Sequence, residues 1–148
     1  MEKERKKRKI GLKYVIAAAL ILFFSACYLF DFFWAKTYHI EVVSISDETP
    51  YAHNSERVTI TVRVTHFGKP MEKHEIFALP SAGQMFAYTT LTDENGEATF
   101  TYIPYTETYF NPAKDVELRI RDQSNSIIWE INAYTDIVLQ LQSKPKEG

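Results

Sequence analysis

The chain has 148 residues and a net charge of −2, but residues 1–13 hold seven Lys/Arg and two Glu while residues 35–148 hold ten Lys/Arg and sixteen Asp/Glu. An acidic stretch of that size makes one small domain with a single core, and its sign excludes the cationic face that nucleic acid requires. The only cysteine is Cys27, so no disulfide staples the downstream region, which suits an exported bacterial domain better than an animal secreted one.

Met1 to Lys13 reads as a basic cytoplasmic tail, because short Lys/Arg-rich flanks stay inside and bind anionic lipid. From Tyr14 to Phe30 the chain has no charge, Gly or Pro, and Phe32, Phe33 and Trp34 prolong the apolar run around Asp31, which can sit in the outer interface. Residues 14–34 are therefore expected to form one transmembrane helix. Three readings of this stretch compete. It is an uncleaved signal anchor, a cleaved signal peptide, or a lipoprotein signal in which Phe24-Ser25-Ala26-Cys27 resembles a bacterial lipobox and Cys27 carries the lipid. The apolar continuation from Tyr28 to Trp34 favours the anchor.

Everything after the helix reads as β-structure. Thr37–Ser46 alternates and forms a first strand with no flexible linker before it. Arg57–His66 gives the clearest period of two, with Val58, Ile60, Val62 and Val64 inward and Thr59, Thr61, Arg63 and Thr65 outward. Phe67-Gly68-Lys69-Pro70 turns the chain. Met71–Leu79 follows, with Ile76 and Phe77 as core candidates, and then Gln84–Leu91. Thr92–Glu97 reads as a hairpin in which Asn95-Gly96 supplies a type I′ turn. Ala98–Tyr102 and Asp115–Asp122 are further strands, the second with Val116, Leu118 and Ile120 inward. Ile127–Leu141 is one long strand or two short ones, and Ser143–Gly148 is a polar tail. Seven or eight short strands without a crossover helix predict an antiparallel sandwich over residues 37–142.

Two motifs in this region carry a family resemblance. Arg57–Met71, with Gly68-Lys69-Pro70, followed by Thr92-Asp93-Glu94-Asn95-Gly96-Glu97-Ala98 resembles bacterial Ig-like domains of the invasin/intimin type. The Thr92–Gly96 segment with Ile103-Pro104 is similar to carboxypeptidase-regulatory and transthyretin-like domains as well. Both resemblances imply an all-β, Ig-like Greek-key sandwich. The matching motifs are turn chemistry and imply no catalysis.

Chemistry-bearing residues are sparse. His66 and His74 flank the Gly-Lys-Pro turn without a third ligand, and the other histidines, His39 and His53, read like them as exposed residues. Asp93, Asn95 and Glu97 begin like a calcium loop, but Pro104 stands where the bidentate Glu belongs. No nucleophile–base set is present, so neither enzyme activity nor a cofactor is expected. The segment with Tyr102, Tyr105, Tyr109 and Phe110 is the candidate binding loop, since tyrosines give broad contact with a polar tip. The expected role is a membrane-anchored binding or structural module of a bacterial envelope, touching the bilayer and another envelope protein or wall polymer. The alternative is an accessory subunit of a transport, secretion or signalling complex, in which Ser25, Ala26 and Cys27 let the helix pack closely on a partner.

Overall fold

A computed structural model describes residues 11–145. Most of the basic tail and the last three residues of the polar tail lie outside the described residues. Helix α1 (Leu12–Ala35) is one uninterrupted helix. It ends where the Thr37 hydroxyl and N–H both donate to the Trp34 carbonyl, at 2.7 and 3.0 Å. That cap turns the chain directly into β1 (Tyr38–Ile45), so helix and domain meet without a linker.

The remaining strands are β2 (Val58–His66), β3 (Lys69–Pro70), β4 (Glu75–Pro80), β5 (Gln84–Met85), β6 (Thr89–Leu91), β7 (Glu97–Ile103), β8 (Asp115–Asp122) and β9 (Tyr134–Gln140). All their pairings are antiparallel. One sheet runs β1-β2-β7-β5, with β3 folded back on β2, and the other runs β6-β4-β8-β9. The chain changes sheet after β3, after β4, after β5, after β6 and after β7, and the two strand orders are those of an Ig-like Greek-key sandwich. Val58, Ile60, Val62 and Val64 from one sheet meet Ile76, Ala78, Val116, Leu118, Ile120 and Leu139 from the other, all buried. Period-2 alternation creates this core by sending every second side chain to the same face.

Four local expectations differ from the structure. Gln84–Leu91 is not one strand: β5 pairs with β7 in one sheet and β6 with β4 in the other, the chain crossing over at Phe86–Tyr88. Phe77 is half-exposed on the outer face of its sheet, where Arg121 lies over its ring at 4.8 Å; only Ile76 of that pair enters the core. Thr92–Glu97 links two sheets and is not a hairpin. Asp93 holds it by accepting the N–H groups of Asn95 and Glu97 at 2.9 and 2.8 Å, so of the two central residues only Gly96 has positive φ, +73°. The turn with positive φ at both central residues is Phe67-Gly68, at 47° and 75°, between β2 and β3. Fourth, Ile127–Ala133 is not strand but a loop laid against α1.

Candidate functional site

Strand direction sorts the loops into two ends. The start of β1, the end of β2, the start of β4, the end of β8 and the start of β9 gather at the helix. The loops 46–57 and 104–114 lie at the far end.

The far end is cross-tied. Glu107 N–H donates to the Ala52 carbonyl at 2.9 Å, and its carboxylate accepts Ser143 Oγ and Lys144 N–H at 2.8 and 3.1 Å. The four aromatic residues of the candidate loop divide here. Tyr102 is on β7 and wholly buried, its hydroxyl donating to the Ala82 carbonyl at 2.9 Å; burial pushes that hydroxyl's pKa up. It is a core residue and touches no surface, because the inward alternation of β7 extends to it. Tyr102→Phe should cost about 1 kcal/mol, one buried hydrogen bond, read from thermal unfolding of the full chain in detergent. Tyr105 is half-buried against the core, its hydroxyl donating to the Pro112 carbonyl at 2.8 Å. Tyr109 and Phe110 alone stand free, 93% and 94% exposed, with rings edge to face at 5.3 Å. The structure therefore reduces the loop's accessible aromatic surface to this pair at the tip.

The near end holds a second cluster. Tyr38 stacks on His66 at 4.1 Å and touches His74 at 5.8 Å, while Trp34 packs edge-on to His66 at 5.1 Å. His74 is not an exposed histidine: its Nδ1 lies 2.7 Å from Oδ2 of fully buried Asp122, whose Oδ1 accepts Ser124 N–H at 2.8 Å. Burial, with Asp122 nearby, pushes the Tyr38 hydroxyl's pKa up. Among the described residues no three His, Cys, Asp or Glu side chains come together as a metal site. Asp31, inside α1, is also buried, its Oδ2 accepting the N–H groups of Ile128 and Trp129 at 2.8 and 2.5 Å. Sequence reasoning placed Asp31 in the open interface and missed this contact. The signal was there: a lone carboxylate in an apolar run needs a partner.

No protein-family model and no curated protein matches the sequence. Among solved structures, the chain is similar to the D0–D1 domain of intimin, at 17% identity and TM-score 0.49, over 68% of this chain and 48% of that one. A second is a C-terminal fragment of intimin in complex with the intimin-binding domain of the translocated intimin receptor, at 21% identity and TM-score 0.49, over 66% of this chain and 32% of that one. A third is residues 27–141 of a conjugate transposon protein from Bacteroides vulgatus, at 11% identity and TM-score 0.39, over 75% of this chain and 88% of that one. The chain spans about half the length of the first of these intimin fragments. The intimin neighbours are of the Ig-like type that the Gly68-Lys69-Pro70 and Thr92–Ala98 motifs resemble; the assignment of the fold stands on the strand order.

Proposed function

We propose that this chain is a membrane-anchored Ig-like module of a bacterial envelope, with α1 in the bilayer and the sandwich outside, presenting Tyr109 and Phe110 to another envelope protein or a wall polymer. One observation carries the reading: of the 24 residues of α1, only Asp31 and Ala35 are buried against the protein. Leaving side chains such as Leu22, Phe23, Phe30 and Phe33 in water costs about 1.5–3 kcal/mol each, so this surface needs a cover, and a bilayer supplies one. Six Lys/Arg before α1 and Lys13 in its first turn, against Lys36 just after it, favour a cytoplasmic N-terminus.

An intact mass from native membranes tests the uncleaved anchor. The unprocessed chain is expected; residues 27–148 carrying diacylglycerol, lost in Cys27→Ser, would make it a lipoprotein instead. The binding tip is tested by the double variant Tyr109→Ser, Phe110→Ser. Both side chains are exposed, so stability should stay within about 0.5 kcal/mol, while the variant should fail to replace the native chain in a deletion strain. Full complementation would remove the tip from the account. Exchanging α1 for an unrelated span that keeps Phe24, Asp31 and Ala35 should preserve function; loss would favour the helix as the contact within a membrane complex.

A further inference from the structure

The β8–β9 loop is held in place by polar ties and yet keeps its apolar side chains outside. Asn125, fully buried, accepts the Ala133 N–H through Oδ1 at 3.2 Å, closing the loop on itself. Ser124 Oγ accepts the Glu75 N–H at 2.8 Å, tying the loop's start to β4. Asp31 then fixes the loop's middle to the helix. The segment so held is Ile127-Ile128-Trp129, whose side chains are 59%, 50% and 45% exposed. A soluble loop this well anchored gains nothing by showing three large apolar side chains in a row to water.

Their position supplies the reason. The Trp129 ring packs edge-on to Phe24 at 6.0 Å and shares a groove with Ser25, Tyr28 and Leu29. Phe24 is seven residues before Asp31, about 10 Å further along the helix axis, away from the sandwich. The loop thus runs down the flank of α1 alongside Phe24, Tyr28 and Leu29, which the protein otherwise leaves exposed. At the β2–β3 turn Phe67 is also exposed, and its N–H reaches the Thr37 carbonyl at 3.4 Å beside the helix exit.

We infer that Ile127-Ile128-Trp129 is a membrane-dipping loop, seated in the outer leaflet against α1 and latched there by the Asp31 carboxyl. The inference rests on the anchor reading of α1 and extends it: the sandwich is then held to the bilayer at a second point, so it cannot swivel freely about Lys36. The occupant of the surface is the lipid of the outer leaflet, because the loop is continuous with the exposed apolar side of the helix. The loop backbone is also protected there, since two of its N–H groups are already satisfied by Asp31.

The chain contains two tryptophans, which makes the test direct. Trp34→Phe leaves Trp129 as the sole reporter, and Trp129→Phe leaves Trp34. Each full-length variant is reconstituted into phosphatidylcholine vesicles with bromines on the acyl chains near the glycerol, and separately exposed to aqueous iodide. Trp129 should lose most of its emission to the bromines and be shielded from iodide. In Asp31→Ala with Trp34→Phe, the chain should stay in the vesicles while Trp129 becomes less sensitive to bromine and more sensitive to iodide. If alkaline carbonate leaves the chain in the membrane but iodide, not bromine, quenches Trp129, the dipping loop is wrong and the anchor stands. If carbonate strips the chain from the vesicles, anchor and loop fall together. Unchanged quenching in the Asp31→Ala variant would overturn the latch.

Discussion

Gly96→Ala should destabilise the domain by about 2–4 kcal/mol, whereas Gly68→Ala should cost about 1 kcal/mol. Both glycines have nearly the same backbone, φ +73° and +75°, so the strain of placing a side chain there is common to both. The surroundings differ. A Cβ on Gly96 would stand 2.5 Å from the Val64 carbonyl oxygen and 3.0 Å from the Met71 nitrogen, both backbone atoms of the β2–β3 region. A Cβ on Gly68 meets nothing within 4 Å. The Gly96 carbonyl moreover accepts the Val64 N–H at 2.8 Å, so any shift that relieves the contact loosens that bond. Thermal unfolding of the two variants side by side checks the claim. Equal losses would mean that the sheet-to-sheet link does not press on β2.

Asp122→Ala should cost about 3 kcal/mol, because it leaves the part-buried His74 Nδ1 and the Ser124 N–H without their acceptor. Asp136→Ala removes a carboxylate with better formal geometry, two bonds from Arg119 at 2.8 and 3.0 Å, and should cost about 0.5 kcal/mol. Burial decides between them: the Asp122 side chain is fully enclosed, while that of Asp136 is 42% exposed and water replaces what it loses. The Arg119 guanidinium holds the Asp136 carboxyl below the usual carboxylate range. Its small contribution is therefore present above the unfolded value and fades as pH falls through the acid range, the sign expected for a depressed carboxylate. Chemical denaturation of both variants at neutral pH tests the contrast. Similar losses would show that Asp122 is not the buried tie between β4 and β8.

The parts of the fold legible in the sequence are those where side-chain alternation and a single partner face coincide. Val58–Val64 and Val116–Ile120 alternate without interruption, and every inward residue among them is buried. Where a segment changes partner, composition still favours a strand and the partner is invisible. Gln84–Leu91 holds Phe86, Tyr88, Thr89 and Thr90, but its halves hydrogen-bond to different sheets. Asn95-Gly96 carries type I′ residues, yet Asp93 side-chain bonds set the turn instead. Ile127-Ile128-Trp129 has strand-like composition for a different reason: it meets Asp31, 97 residues away, and the flank of α1. Of the candidate loop, composition found Tyr109 and Phe110 but could not separate them from Tyr102 and Tyr105, whose hydroxyls are bound to main-chain carbonyls.

The placement of the sandwich across the membrane from the basic tail is tested most directly by cysteine accessibility, because Cys27 is the only native thiol. In a Cys27→Ser background, Phe110→Cys and Lys6→Cys are made separately and treated with a membrane-impermeant maleimide on intact spheroplasts. Labelling of Phe110→Cys on intact spheroplasts, with Lys6→Cys labelled only after lysis, is the result expected. Labelling of Lys6→Cys on intact spheroplasts, or of Phe110→Cys only after lysis, would contradict an anchor with the Ig-like domain outside.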